Sequence, residues 1–288
     1  MPEGPEVRVV VEWLRKHLLG RHFHSIQWDP SSRYRLKEPE GYSDIFSRLP
    51  AIISNIFAKG KCIVIEFNQE FYMTCNLADA GNWTFEKEKH CNTWITYSSN
   101  NQVQVMYFTD VRHRGRHDFF GSSSDLKSRK FKDIGPDLLA YSIGTYCQEH
   151  NPCLIKEDMI SIWNEKLNNT RIKNKEIGIY LLDQKRFSGI GNYARAEILY
   201  RARISPFRKL CEISKEESLL LLHHSVNVLY ESYSQRGLSI INYRDPEGVD
   251  GTFKKIIYRE EFDPLGNEIR KDPCGAGKNI YWVPSLQK

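Results

Sequence analysis

Phe187-Ser188-Gly189-Ile190-Gly191-Asn192, running on into Tyr193-Ala194-Arg195-Ala196-Glu197-Ile198-Leu199-Tyr200, is the stretch whose reading decides the fold. Ala194, Ile198 and Leu199 share one helical face, which predicts a helix over 193–201. Upstream, Ile177, Ile179, Leu181 and Leu182 predict a compact apolar helix over 175–184. Between them lies a turn punctuated by glycine. Such a turn can simply join two packed helices. It can also let the backbone approach a phosphate, with the next helix offering its first N–H groups to an anion. Asn192 is the amide donor for that role, or a plain helix N-cap. Lys185, Arg186 and Arg195 nearby favour the anion reading.

Working outward toward the N-terminus, the pattern changes between about 22 and 120. Runs at 23–28, 52–57, 62–67, 72–77, 93–97 and 103–108 are rich in aromatic and β-branched residues. Turn signals such as Lys59-Gly60-Lys61 and Ala80-Gly81-Asn82 separate them. Many short strands predict an antiparallel β-sandwich. The charged run from Asp110 to His117 reads as an exposed edge loop, where ligand contacts often gather, or as a solvated face. Val7, Val10, Val11, Leu14 and Leu18 predict a helix over 5–19, stopped by Gly20.

Outward toward the C-terminus, Ser214 with Glu217 forms a capping-box signature before a helix over 218–233. The tail is expected to form a hairpin within about 250–288, with arms at 254–258 and 279–283. The chain therefore reads as α+β: an N-terminal antiparallel sandwich flanked by a helix (1–140), a linker (141–152), and a helical domain ending in the hairpin (153–288).

The first six residues, Met1-Pro2-Glu3-Gly4-Pro5-Glu6, carry candidate chemistry. Methionine before a small residue is ordinarily trimmed, which leaves Pro2 with a free secondary amine. An α-amine titrates near ~8, against ~10.4 for a lysine, so part of it is unprotonated at neutral pH. Pro2 is a candidate nucleophile toward an electrophilic carbon, ending in an imine, and Glu3 is a carboxyl acid/base beside it. A frayed terminus with prolines in the first helical turn is the plainer alternative.

The bulk numbers bound the rest. A length of 288 residues suits two domains. A net charge of +5 allows a polyanionic partner without demanding one. The seven cysteines include no C-x-x-C pair, so neither a zinc site nor any other cofactor is expected. An odd cysteine count without a signal peptide points to an intracellular, reducing compartment. No apolar run reaches the ~18 residues of a membrane span.

With these motifs in place, the chain resembles the formamidopyrimidine-DNA glycosylase/endonuclease VIII family. Gly189 to Tyr200 with Ile204-Ser205-Pro206 is similar to the family's helix–two-turns–helix, and Gly-Asn-Tyr resembles its endonuclease VIII side. Pro2-Glu3-Gly4-Pro5-Glu6 resembles the catalytic terminus. Lys59-Gly60-Lys61, Asp110-Val111-Arg112 and Ile134-Gly135-Pro136 follow in family order. The resemblance implies a bifunctional DNA glycosylase and abasic-site lyase that excises oxidised bases, pyrimidines first, in base excision repair. It implies Pro2 as nucleophile, Glu3 as the acid for the sugar ring oxygen, and Lys61 and Asn192 as holders of phosphates flanking the lesion. Glu6 is a candidate for lining the base pocket, or a carboxylate favoured by the helix dipole. Glu197 is expected to be structural. The partner is DNA with damaged bases or abasic sites, and the protein is expected to be a monomer. A non-catalytic damaged-DNA-binding module, or a lyase alone, is the competing reading.

The sequence also departs from that family. Its members usually end in a four-cysteine zinc finger, whereas here Cys274 stands alone in the tail. This resembles the zincless-finger branch found in vertebrate Nei-like and giant-virus enzymes, with Lys278 where the finger-tip arginine would stand. The loop Asn76-Leu77-Ala78-Asp79-Ala80-Gly81 carries small or acidic residues where a side chain should fill the space of the flipped base. Arg112 is left as the candidate wedge, and Arg114 stands where an aromatic is expected. The expectation is activity on single-stranded or bubble DNA.

Overall fold

Helix α1 (Gly4–Leu18) begins where the prolines allow it, with Glu3 as extended N-cap and Pro5 in the first turn. The computed structural model describes residues 2–100, 102–143, 156–238, 245–275 and 277–288. The expected linker falls largely outside them. Contacts divide the chain into two units. The first holds 1–133 and 235–252, and the second holds 134–234 and 253–288.

In the first unit, α1 buries Val7, Val10, Val11, Leu14 and Leu18 against β2 (Ala51–Lys59) and β3 (Cys62–Phe67). The other strands are β1 (His22–Trp28), β4 (Tyr72–Asn76), β5 (Asn82–Thr84), β6 (Cys91–Ser99), β7 (Gln102–Thr109) and β8 (Arg116–Phe120). A short helix, α2 (Tyr42–Ile45), precedes β2, and α3 (Ser123–Arg129) follows β8. The eight strands form one sheet in the order β5-β7-β6-β1-β2-β3-β4-β8, every neighbour antiparallel.

The two ends of that order meet, because the sheet folds over on itself. His117 of β8 lies 4.8 Å from the Phe108 ring of β7 and 5.6 Å from Trp83 of β5, centroid to centroid. Its Nε2 is hydrogen-bonded to Thr93 Oγ1 at 2.9 Å. One buried cluster collects Phe23, Ile56, Ile65, Met73, Trp83, Ile95, Phe108 and Phe119, so the sandwich expectation describes the enclosed core.

Two expectations change here. The charged run from Asp110 to His117 is not loop to its end, because Arg116 and His117 begin β8, which pairs with β4 along its length. The boundary also differs from a single cut near 140–152. The stretch 235–252 returns to the first unit. There Leu238 N–H donates to Glu6 Oε1 at 2.8 Å, and Arg236 pairs with Asp245 and Glu247.

The second unit comprises α4 (Leu138–Ser142), α5 (Lys156–Leu167), α6 (Ile177–Tyr180), α7 (Asn192–Arg201), α8 (Lys215–Ser234), β9 (Arg270–Pro273) and β10 (Asn279–Trp282). The expected 175–184 helix shrinks to one turn, α6. The capping box before α8 is formed: Ser214 N–H donates to Glu217 Oε2 at 2.8 Å, and Glu217 N–H returns to Ser214 Oγ at 3.2 Å. The hairpin pairs β9 with β10, so its first arm is Arg270–Pro273 rather than 254–258. The 254–258 stretch has another task. The N–H groups of Ile256, Ile257 and Tyr258 converge on the Glu197 carboxylate at 2.9–3.0 Å. Glu197 is fully buried, and burial pushes its pKa up against the pull of those three donors. It is a structural residue, as expected.

Candidate nucleic-acid site

The N-terminal cluster belongs to the first unit. Pro2 and Glu3 are buried at the mouth of α1. Glu3 N–H donates to Glu6 Oε2 at 2.8 Å, and the other Glu6 oxygen accepts from Leu238 N–H. Glu6 is fully buried, so its carboxylate pins the first helical residues to the returning strap. Gly237 makes that approach feasible. Its φ is +89°, and a Cβ there would stand 2.6 Å from Glu6 Oε1. Nothing in the local sequence announces this strap, because its partner lies more than two hundred residues away.

Lys61 sits on the two-residue turn between β2 and β3, where Gly60 takes φ +57°. Its carbonyl accepts from Asn76 Nδ2 at 3.3 Å. Lys59, the last residue of β2, is turned inward, with Nζ 4.6 Å from the centre of the Phe131 ring. Of the two lysines, Lys61 is the more exposed.

The two loops expected to carry wedge residues are tied together. Asp79 Oδ2 accepts from Arg112 at 3.0 Å and from Arg114 at 3.1 Å. Below them the fully buried Asp110 accepts the backbone N–H of Arg112, Arg114 and Gly115 at 2.6–3.0 Å, which sets the curve of the loop. The two guanidinium groups stay exposed, at 55% and 67% of their side-chain surface, over an acid that is only 17% exposed. From sequence Asp79 reads as an unneutralised charge; in the structure two arginines neutralise it.

In the second unit the glycine turn is braced from beneath. Gln184 accepts Gly189 N–H at 3.0 Å and donates to Ile190 O at 2.7 Å. Ser188 Oγ donates to Gly135 O at 2.9 Å. A Cβ on Gly135 would meet Arg186 O at 2.5 Å, which explains the glycine of Ile134-Gly135-Pro136. The N-cap of α7 is Gly191, so Asn192 is the first helical residue and does not cap the helix. Its Nδ2 donates instead to Asn279 O at 3.1 Å, beside Lys278 at the hairpin tip. The structure thus brings Asn192 and the residue next to Lys278 together. Arg195 departs from expectation. It is fully buried and does not face outward as a surface cation.

Three family models match in sequence. The formamidopyrimidine-DNA glycosylase N-terminal domain covers 1–117, the H2TH domain 153–243, and the C-terminal domain 244–288. The chain belongs to the formamidopyrimidine-DNA glycosylase/endonuclease VIII family. Members are DNA N-glycosylases with abasic-site lyase activity, and this chain is one of them in kind. It is 26% identical to the formamidopyrimidine-DNA glycosylase of Exiguobacterium sp. over the full length of both. MutM (Fpg) from Thermus thermophilus shares the fold at a TM-score of 0.81 and 23% identity, covering 99% of this chain and 98% of the other. MutM in complex with carbocyclic 8-oxo-G containing DNA matches at 0.80 and 25%, covering both chains fully. No helix among the described residues is long and apolar enough to cross a membrane.

Proposed function

We propose that this chain excises oxidised bases through an imine formed at the Pro2 amine. The nitrogen lone pair attacks C1′ of the damaged nucleotide, and the bond to the base breaks, its electron pair leaving with the base. Glu3 protonates the ring oxygen as the sugar opens and moves the later protons. The base leaves the stack before this attack. Lys61 and Asn192 hold phosphates that keep the strand in place. What carries the reading is the Glu3 N–H held by buried Glu6, itself held by Leu238 N–H. A terminus built in this way is not the frayed end of the plainer alternative. Borohydride should trap a covalent enzyme–DNA adduct whose protein end maps to the N-terminal peptide. Extending the N-terminus with a tag should abolish it. Trapping at an internal lysine while Pro2 is blocked would overturn the assignment, and trapping on abasic DNA alone would leave a lyase without glycosylase activity.

The same reading includes strand form. Duplex excision requires unstacking the target, a few kcal/mol, and filling the hole it leaves. Ala78 and Ala80 are too short to fill it, and Asp79 is engaged with Arg112 and Arg114. Arg112 remains as the one wedge. Single-stranded or bubble DNA has no orphaned partner to support, so the enzyme acts on it at least as well as on duplex. Single-turnover excision of one oxidised pyrimidine in both contexts, with Asp79→Leu alongside, tests this. A strong duplex preference in the wild type would sink it.

A further inference from the structure

A four-thiolate metal centre does not fit this hairpin. The stretch 270–288 holds one cysteine, Cys274. Among the described residues no three His, Cys, Asp or Glu side chains cluster as a metal site. Something else must fix the tip that carries Lys278.

Arg195 is among the largest fully buried side chains of the protein. Its Nη1 donates to Gly178 O of α6 at 2.8 Å and to Cys274 O at 3.0 Å. Its Nη2 donates to Asn192 Oδ1 at 2.8 Å and to Asn279 O at 3.3 Å. Its Nε donates to the same Asn192 oxygen at 3.1 Å. One planar group therefore spans the first helix of the motif, the start of the second, and both sides of the hairpin tip. Gly178 permits the approach, since a Cβ there would stand 2.8 Å from Cys274 Sγ.

A guanidinium has donors only, so the amide face that Asn192 turns toward it must be oxygen. The NH2 is thereby fixed on the opposite side, where it already meets Asn279 O. We propose that Arg195 is the positioning residue of the phosphate site: it sets the amide of Asn192 and locks the hairpin tip beside it, the task a metal would perform in a thiolate finger. Lysine cannot replace it, because one ammonium has three donors for four separate acceptors and lacks the guanidinium fork.

The inference rests on the phosphate role of Asn192 proposed above, and the test separates the two. Affinity for a duplex carrying an abasic-site analogue is measured, with melting temperature, for Asn192→Ala, Arg195→Lys, their double variant and Asn192→Asp. Asn192→Ala should weaken binding on the order of tenfold, the scale of one hydrogen bond to a charged group. Arg195→Lys should weaken it comparably, and the double variant should bind no worse than the weaker single one. Asn192→Asp keeps the oxygen that faces Arg195 and loses the donor, so it should bind poorly. If Asn192→Ala binds normally, the phosphate role fails. If Asn192→Ala weakens binding but Arg195→Lys does not, or if their effects simply add, Arg195 is only structural and the positioning inference fails. Normal binding by Asn192→Asp would overturn the amide orientation, even if Arg195 variants did not fold.

Discussion

Glu6 shows how much a single carboxylate can decide. Its identity as a first-turn acid was legible, and so was the choice between lining a pocket and favouring the helix dipole. That its two oxygens accept N–H groups from Glu3 and Leu238 was not, because the second partner is remote in sequence. The same geometry makes Gly237 hard to replace. Alanine there meets the Glu6 carboxylate and must hold φ +89°, a left-handed conformation costing about 1–2 kcal/mol without any clash. Gly237→Ala should lower the urea midpoint by at least that equivalent and reduce borohydride trapping in parallel. A variant with wild-type stability and trapping would show that the strap does not need this approach. Arg195 makes the complementary point: a basic residue near a glycine-punctuated turn reads as a ligand contact, and only its burial and its bonds to Gly178, Cys274 and Asn279 reveal it as a brace.

At the scale of elements, periodicity served best where one face is apolar. α1, α7 and six of the strands stand within a few residues of their expected places. β8 was hidden because Arg116-His117-Asp118 looks like a solvated charge run, yet His117 and Asp118 point into the fold. Asp118 is held by Arg116 at 2.6 Å and by Lys130 at 3.2 Å. The hairpin's first arm was misplaced for a similar reason: Arg270-Lys271-Asp272-Pro273 is polar, and the β-rich stretch before it serves Glu197. β8 also predicts acid sensitivity. Burial among Trp83, Phe108 and Tyr34 pushes the His117 pKa down to about 3. Unfolded histidine titrates near ~6.5, so between those values the unfolded chain binds a proton that the folded chain refuses. Stability from this residue is complete above the unfolded value and falls as pH drops through the window, by about 1.4 kcal/mol per pH unit. Urea titrations at pH 7 and pH 5 should show the loss, and His117→Phe should flatten it. An equal slope in the variant would place the acid-sensitive group elsewhere.

For the whole molecule, the N-terminal Pro2-Glu3-Gly4-Pro5-Glu6 and the Gly189 to Tyr200 stretch carried the family, and the strand and helix periodicities carried the α+β class. The division of the chain was less legible, because composition does not register that 235–252 packs with the first unit. Charge is where the molecule meets its partner. Lys278→Ala should flatten the salt dependence of duplex binding by a slope of roughly 0.9, the release of about one counterion. Lys278→Arg should bind no worse. An unchanged slope in the alanine variant would move the contact to Arg270 or Lys271.

The strap from Gln235 to Thr252 also sets a timetable. Glu6 leaves the ribosome more than two hundred residues ahead of Leu238, so at 5–20 residues per second the carboxylate waits roughly ten to fifty seconds for its second donor. A nascent or prematurely terminated chain therefore carries the Glu3–Glu6 turn without the second donor that anchors it. Only a polypeptide extended past Leu238 can complete the anchor of its own first helical turn.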